Sequence, residues 1–222
     1  MSAIKLHILK PSVNNMTVRV FVRAAKLDFS EDDVWGKTRT PEFLAKNPAH
    51  MTPMIETAGL PKGVIWESCA IMQYLCNKHG LDRYYPKAPE QRATIDSAMF
   101  YITGTLYPLV SRATYPKLGF PQYAGEVGAS DASVEAKHAA QQAAAAAIAE
   151  PLEVFHKFYL SGKPFIGGNE PSIADIRLAT TLEFLGAIDY PMPGWAKNHL
   201  EHDRFILKRT RHFQGSLRTR WM

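Results

Sequence analysis

The sequence has little cysteine and no long hydrophobic run, and both absences narrow its class. Only two cysteines, Cys69 and Cys76, occur among 222 residues, which is too few for the disulfide framework of a small secreted domain. Their spacing fits neither a Cys-x-x-Cys redox pair nor a metal site. No apolar stretch approaches the roughly 20 residues of a membrane-spanning helix, and residues 1–7 lack the apolar core of a secretory signal. We therefore expect a cytoplasmic protein with no membrane contact.

Outside the C-terminal tail, positive and negative side chains are equal in number, so the rest of the chain carries no net charge. The formal net charge is +5, and the five Lys and Arg side chains of residues 208–222, which include no Asp or Glu, account for the whole excess. A nucleic-acid-binding protein usually has a basic stripe across its fold, with aromatic side chains between the charges. The sequence therefore predicts no nucleic-acid partner and a solvated basic tail.

Short strand and helix patterns are mixed in the first part of the chain. Residues 4–9 alternate apolar and polar side chains, as in a half-buried strand, and Pro11 closes the run. Further strands are predicted at residues 28–34, 53–56 and 63–66, and helices at residues 41–46 and 68–79. Residues 17–27 fit both periods: Thr17 to Val22 alternate like a strand, whereas Val20, Ala24 and Leu27 keep helical spacing. The pattern alone favours a strand there.

Strand patterns disappear after the prolines of residues 83–89, which form the best linker candidate. Residues 90–110 and 131–160 predict long helices, the second rich in alanine and kinked at Pro151. Ser172 and Asp175 form a capping-box pattern that begins an apolar helix ending near Ala187. A last short helix is predicted at residues 203–211. The outline is an α/β domain followed by an all-helical one.

The run Trp66-Glu67-Ser68-Cys69-Ala70-Ile71 places a carboxylate and a hydroxyl where a strand ends and a helix begins. A helix N-terminus with a serine hydroxyl suits a ligand carboxylate, because the first amides and the helix dipole favour an anion. The Glu67 carboxylate suits a ligand ammonium. Ser68 also has a purely structural interpretation as a helix cap.

This run, the α/β-then-helical outline and the stretch Asn47-Pro48-Ala49-His50-Met51-Thr52-Pro53 resemble cytosolic glutathione transferases. The resemblance covers nearly the full chain. It implies a thioredoxin-like domain at residues 1–82, the linker at 83–89 and an all-α domain at 90–222. It also implies glutathione as the co-substrate and a homodimer, with no metal; His199 and His202 are three positions apart but lack a third ligand.

The resemblance assigns both ends of glutathione to residues of the first domain. Residues matching Glu67 and Ser68 bind its γ-glutamyl end in the family, and Cys69 follows them. If Pro53 is cis, the backbone of Thr52 turns outward and pairs with the cysteinyl main chain.

The glycine end of glutathione is assigned to two loops. Delta-class members carry a histidine where His50 stands, which implies a contact with the glycine carboxylate, and an exposed loop histidine is the alternative. Met51 lies between His50 and Thr52 on the same loop. A second contact comes from the loop containing Lys37, Thr38 and Arg39, with Thr38 as our candidate.

The residue that activates the thiol is predicted from the same resemblance. Aligning residues 20–25 with the family's first helix makes the ambiguous segment a helix and puts Asn14 at the position of the catalytic serine. Asparagine there resembles the nu class, whose motif is similar to Ser12-Val13-Asn14-Asn15. Ser12 is the rival donor, and Asn15 or a backbone amide is a third alternative. Met16 stands where a proline often follows, which departs from the family's pattern.

A hydrogen-bond donor is needed at this position because the thiolate is the nucleophile. A thiol with a pKa of about 8.5 is only roughly 3% ionised at pH 7. Lowering that pKa by two units ionises roughly three quarters of it and requires about 2.7 kcal/mol of preferential stabilisation. An asparagine N–H can donate one hydrogen bond to sulfur but cannot act as a base.

The helical domain supplies candidates for a second-substrate cleft. Gly104 to Tyr107 and Tyr115-Pro116 resemble the delta-class fourth helix, which implies that Tyr107, Arg112 and Tyr115 line the cleft; core or dimer contacts are the alternative. Trp221 in the tail is a candidate for folding over the cleft, as C-terminal tails do in some relatives, but a solvated tail is the favoured interpretation.

Three functions remain open at this point. The first is conjugation of glutathione to small hydrophobic electrophiles. The second, typical of relatives with asparagine at the active site, is glutathione-dependent disulfide or hydroperoxide reduction. The third is a glutathione-binding scaffold without turnover, which the intact Glu67-Ser68 pair disfavours.

Overall fold

The structure is a computed structural model that describes residues 4–10, 12–118 and 133–208. Its first part contains four strands, β1 (Ile4–Ile8), β2 (Phe29–Asp33), β3 (Met54–Thr57) and β4 (Val64–Trp66), and three helices, α1 (Val13–Ala24), α2 (Pro41–Lys46) and α3 (Ser68–His79). The strands form one mixed sheet in the order β2-β1-β3-β4. β1 runs parallel to β2 and antiparallel to β3, which is antiparallel to β4.

Helix α1 confirms the helix that the resemblance implied for the ambiguous segment, whereas the strand favoured by the alternating pattern of residues 17–22 is wrong. The polar residues that created the alternation are buried and paired rather than solvated. Thr17 contacts the Thr180 hydroxyl at 2.7 Å, and Arg19 donates two hydrogen bonds, of 2.9 and 3.0 Å, to Glu31 on β2. Because α1 is buried between the sheet and the helical part, its polar positions do not mark a solvent face.

The Glu31 carboxylate shows how this burial is compensated. Burial alone raises the pKa of Glu31, but hydrogen bonds and charges from Arg19 and Arg23 outweigh it and hold that pKa below its usual value. Arg23 lies 2.7 Å from the same carboxylate. Helix α1 is therefore fixed to β2 by a charged, bidentate contact.

The second part of the chain is helical in the described residues, apart from an isolated bridge between Phe165 and Gly168. Its helices are α4 (Pro89–Tyr101), α5 (Tyr107–Thr114), α6 (Val134–Ala147), α7 (Ala149–Val154), α8 (Ile173–Leu185) and α9 (Gly194–Lys208). A π-helical segment, Ile102–Leu106, joins α4 to α5, and another, Phe155–Leu160, follows α7. A 3-10 turn, Gly186–Ile188, ends α8.

Two helix predictions are refined here. The alanine-rich helix is interrupted at Ile148, three residues before Pro151, since proline has no N–H to continue the hydrogen-bond ladder. The last helix begins at Gly194, directly after Pro193, and not at Asp203 as predicted. Its predicted continuation to Arg211, with the basic tail and Trp221, lies outside the described residues.

Helix α8 is the central helix of the second part, and its N-terminus confirms the predicted capping box. Ser172 accepts hydrogen bonds from the Ala174 and Asp175 amides, and the Asp175 side chain accepts one from the Ser172 amide. Every residue from Ile173 to Leu182 is buried. One hydrophobic core joins α8 to α1 and α3, so the two parts of the chain pack directly against each other. No helix in the described ranges is long and apolar enough to cross a membrane.

Candidate functional site

The sheet brings four loops to one edge. Ile8, the last residue of β1, pairs with Asp33, the last of β2, and His7 pairs with Met54, the first of β3. Met54 pairs in turn with Trp66, the last of β4. The chain segments that follow β1, β2 and β4 and the one that precedes β3 therefore leave the sheet at the same end. These segments contain the predicted residues Ser12, Asn14, Thr38, His50, Met51, Thr52, Pro53, Glu67, Ser68 and Cys69.

The N-terminus of α1 lies at this edge. Ser12 is its N-cap residue, is 8% exposed and makes no side-chain capping bond in the described structure. Asn14 is partly exposed in the first turn, and its amide oxygen is buried without a hydrogen-bond partner among the described residues. Buried polar atoms are normally paired. The first turn of α1 contains no acidic side chain, so its dipole favours an anion.

Asn15 has a role that the sequence did not reveal. Its side chain is fully buried, and its Nδ2 donates a 3.0 Å hydrogen bond to the Thr52 hydroxyl. It therefore ties the first turn of α1 to the loop before β3. The sequence signal for this role is the pair of consecutive asparagines in one helical turn, because one of two neighbouring side chains on a buried helix faces the interior.

The loop before β3 is shaped by Asn47. Its Nδ2 donates a 2.8 Å hydrogen bond to the Met51 carbonyl, and its Oδ1 accepts one of 3.1 Å from the Ala49 amide. His50 takes a left-handed conformation with φ +47°, and Met51 is exposed. The Thr52–Pro53 peptide is cis. Asn47 thus fixes the turn from which Thr52 reaches the first helix.

The junction of β4 and α3 contains the strained backbone of the site. Glu67 has φ +72° and ψ +114°, outside the usual regions for a residue with a side chain, and it makes no capping bond within the described chain. Ser68, the first helical residue, is 5% exposed. The Cys69 sulfur lies 3.6 Å from the Thr103 hydroxyl of the helical part. Such strain costs on the order of 1–3 kcal/mol and is concentrated at functional sites.

The exposed carboxylate of Glu67 follows a sheet whose own carboxylates are paired with Lys or Arg side chains. Burial opposes ionisation of Glu56, but hydrogen bonds from Lys46 and His7 hold its pKa below the usual value. A hydrogen bond from Lys5 likewise lowers the pKa of Asp32. Glu67 forms no ion pair within the described residues and faces solvent at the site edge. Its charge is available to a ligand.

Two of the three predicted cleft residues of the helical part meet at the start of α1. The hydroxyls of Tyr107 and Tyr115 are 3.3 Å apart, and the Val13 amide donates a 3.4 Å hydrogen bond to Tyr115. Tyr115 is 7% exposed and Tyr107 is partly exposed. Arg112 is exposed on α5. Among the described residues, no group of three His, Cys, Asp or Glu side chains could hold a metal ion.

Comparison with known proteins identifies the family. The sequence model of the glutathione S-transferase N-terminal domain matches residues 12–78, and that of the C-terminal domain matches residues 135–212. The chain is 26% identical to glutathione S-transferase D6 of Drosophila melanogaster in an alignment of 214 positions, and this alignment covers 87% of this chain and 90% of the fly protein. The chain belongs to the cytosolic glutathione S-transferase superfamily.

Solved structures agree with this assignment. The Bombyx mori glutathione transferase BmGSTD1, in complex with GTT, is 29% identical, with a TM-score of 0.76 over 94% of this chain and 91% of the silkworm chain. A theta-class glutathione S-transferase from Xanthomonas axonopodis pv. citri, solved with glutathione bound, has a TM-score of 0.75 at 22% identity and covers 95% and 97% of the two chains. The predicted thioredoxin-like domain followed by an all-α domain is confirmed.

Proposed function

We propose that this chain binds glutathione at the sheet edge and activates its thiol for transfer to small hydrophobic electrophiles. The observation that carries the proposal is the junction at Glu67 and Ser68. A carboxylate without an ion pair among the described residues, on strained backbone, precedes a helix N-terminus that has no acidic residue in its first turn. The Glu67 carboxylate suits the γ-glutamyl ammonium, and the first amides of α3 suit its carboxylate.

The loop before β3 and the first turn of α1 suit the rest of the tripeptide. Asn15 holds the Thr52 side chain by a hydrogen bond, which supports our proposal that the Thr52 backbone pairs with the cysteinyl main chain. His50 and Thr38 belong to the loops expected at the glycine end. Asn14 is our candidate donor to sulfur, and Ser12 is the alternative. The positive end of α1 adds to the preference for a thiolate.

A direct test combines glutathione binding with turnover. Isothermal titration should show one glutathione bound per chain, and a chloronitrobenzene substrate should be conjugated. Absence of binding would refute the site assignment. Binding without turnover of any electrophile, disulfide or hydroperoxide would instead favour a binding protein of this fold.

Asn14 supports a second candidate function, glutathione-dependent disulfide or hydroperoxide reduction. An amide donor polarises sulfur without removing its proton. Disulfide exchange needs a poised thiolate and an open cleft that admits a second sulfur, and the leaving thiolate takes the proton that the first thiol lost. Each reduced disulfide consumes two glutathione molecules and releases glutathione disulfide. Faster turnover of hydroxyethyl disulfide than of the chloronitrobenzene would favour this function.

We expect Asn14→Ala to lower kcat by about tenfold to a hundredfold, with little change in the Kd for glutathione. The reason is that a hydrogen bond to a charged group contributes about 1.5–3 kcal/mol, and here it forms with the thiolate rather than with the ground-state thiol. Steady-state kinetics and titration calorimetry measure the two quantities.

Ser12→Ala is the matched control, since Ser12 lies in the same turn and offers the rival donor. It should retain most of the turnover. Unchanged kcat in Asn14→Ala together with a large loss in Ser12→Ala would reassign the donor to Ser12.

The helical part is expected to receive the second substrate. Tyr107 and Tyr115 lie beside the first turn of α1, and Arg112 is exposed on α5. Aromatic rings present apolar surface with a polar edge, which suits a small hydrophobic electrophile.

A homodimer is expected from the superfamily. Light scattering in solution should give twice the 24.9 kDa mass of one chain. A mass equal to that of one chain, at concentrations at which the protein is active, would contradict the expectation.

A further inference from the structure

Arg177 is a buried cation at the junction of the two parts of the chain. It lies on α8, and only 1% of it is exposed. Its Nη1 donates a 3.3 Å hydrogen bond to the Thr17 hydroxyl, and its guanidinium carbon lies 5.0 Å from the centre of the Tyr107 ring. Its Nε has no hydrogen-bond partner within residues 4–10, 12–118 and 133–208. No carboxylate of those residues pairs with it.

An arginine keeps its charge in a protein interior, and a buried charge is normally paired with an opposite charge. The nearby partners of Arg177 are a hydroxyl and an aromatic face, which stabilise a cation only in part. The positive charge is therefore not neutralised by the described chain. A negative charge bound beside Tyr107, which is partly exposed, would be stabilised by it, because charges interact more strongly through a protein interior than through water.

The contacts of Arg177 lead back to the peptide that precedes Asn14. Thr17, which accepts from Arg177, also donates a 3.0 Å hydrogen bond to the Val13 carbonyl. On the other side, the Val13 amide donates to Tyr115, whose hydroxyl is 3.3 Å from that of Tyr107. Tyr107 covers the Arg177 guanidinium. These five residues form a closed ring of contacts that holds Val13 at both its amide and its carbonyl.

We propose that Arg177 is a positioning residue for thiol activation. Its charge stabilises the glutathione thiolate, and its contacts with Thr17 and Tyr107 hold the first turn of α1 from the side of the helical part. This inference rests on the proposed function. Arg177 does not contact the thiol. It acts through Thr17 and the Tyr107–Tyr115 pair on the turn that contains Asn14, and through its field on the sulfur.

The test measures the pKa of the bound glutathione thiol. Ultraviolet absorbance of the thiolate is followed against pH in the binary complex, and the pH profile of kcat/KM provides a second readout. Arg177→Gln, which removes the charge, should raise the thiol pKa by about one unit. At a pH below the wild-type pKa, the fraction of thiolate should then be about tenfold smaller. The Kd for glutathione should stay within about threefold of the wild-type value. Arg177→Lys, which keeps the charge, should leave the thiol pKa close to its wild-type value.

Thr17→Val and Thr181→Val keep the test decisive if Arg177→Gln does not fold. Both remove a fully buried hydroxyl, but only the Thr17 hydroxyl bonds the Arg177 guanidinium and the Val13 carbonyl. The Thr181 hydroxyl donates within α8, to the backbone carbonyl of residue 177. Thr17→Val should raise the thiol pKa by a measurable fraction of a unit, and Thr181→Val should leave it unchanged.

Two outcomes would overturn the inference. One is a folded Arg177→Gln protein that binds glutathione with an unchanged thiol pKa. The other is an equal shift in Thr17→Val and Thr181→Val, which would reveal a general loss of packing. Failure of the wild-type protein to bind glutathione is a different result, since it would refute the proposed function itself.

Discussion

Asp175→Ala is expected to lower the free energy of unfolding by about 3–5 kcal/mol. The Asp175 carboxylate is fully buried and accepts hydrogen bonds from the Ile166 amide at 2.8 Å, the Ser172 amide at 2.7 Å and the Ser172 hydroxyl at 2.6 Å. Alanine would leave all three donors buried and unpaired. The midpoint of thermal unfolding should fall by on the order of 10 °C, measured by circular dichroism.

Ser172→Ala is the graded companion to this variant. It removes the hydroxyl that accepts hydrogen bonds from the Ala174 and Asp175 amides. The Asp175 carboxylate still accepts hydrogen bonds from the backbone amides of residues 166 and 172. A cap contributes about 0.5–2 kcal/mol, so the loss should be smaller than that of Asp175→Ala. Equal stability of Asp175→Ala and the wild type would mean that the capping box does not fix the helical part.

The same carboxyl predicts a pH dependence of stability. Burial raises the pKa of Asp175 to about 7, against opposing hydrogen bonds from Ile166 and Ser172, and the His199 imidazole lies 3.8 Å away. The folded state therefore binds a proton more tightly than the unfolded state, in which the pKa is about 3.9. Stability from this group is gained as pH falls from about 7 towards 4 and is lost as pH rises through that window. Asp175→Asn, which does not titrate, should show a flatter profile.

The second large effect is expected at Glu67. Glu67→Ala should weaken glutathione binding by about tenfold to a hundredfold, because a charge-assisted hydrogen bond to the γ-glutamyl ammonium contributes about 1.5–3 kcal/mol. The fold should be little changed, since Glu67 is exposed and makes no capping bond in the described chain. Titration calorimetry with glutathione measures the change directly.

Two further variants separate the charge of Glu67 from its backbone conformation. Glu67→Gln keeps the shape and the φ of +72° but removes the charge, so it should lose most of the same affinity. Glu42→Gln, which removes an exposed carboxylate from α2, should bind normally. Wild-type affinity in Glu67→Ala would remove the main support for the proposed γ-glutamyl site.

The order of the elements and the capping box were set by local sequence. Gly80 in a left-handed conformation ends α3, and Ser172 with Asp175 begins α8. Such signals act within one turn of chain, where only a few backbone conformations are allowed. Recognition of the superfamily likewise needed only motifs in the right order. The residues that contact glutathione and the second substrate, and the domain boundaries, remain predictions.

Only the tertiary structure decided that the helix of residues 13–24 is buried on almost every face. The sequence could not show that Thr17 and Arg19 are polar because they meet Thr180, Arg177 and Glu31, residues distant in the chain. It also could not show that Asn15, rather than Asn14, faces inward to hold Thr52. Periodicity assumes that polar side chains face water. Where two parts of a chain pack together, partners supplied by the other part satisfy those side chains, and the pattern no longer indicates the secondary structure.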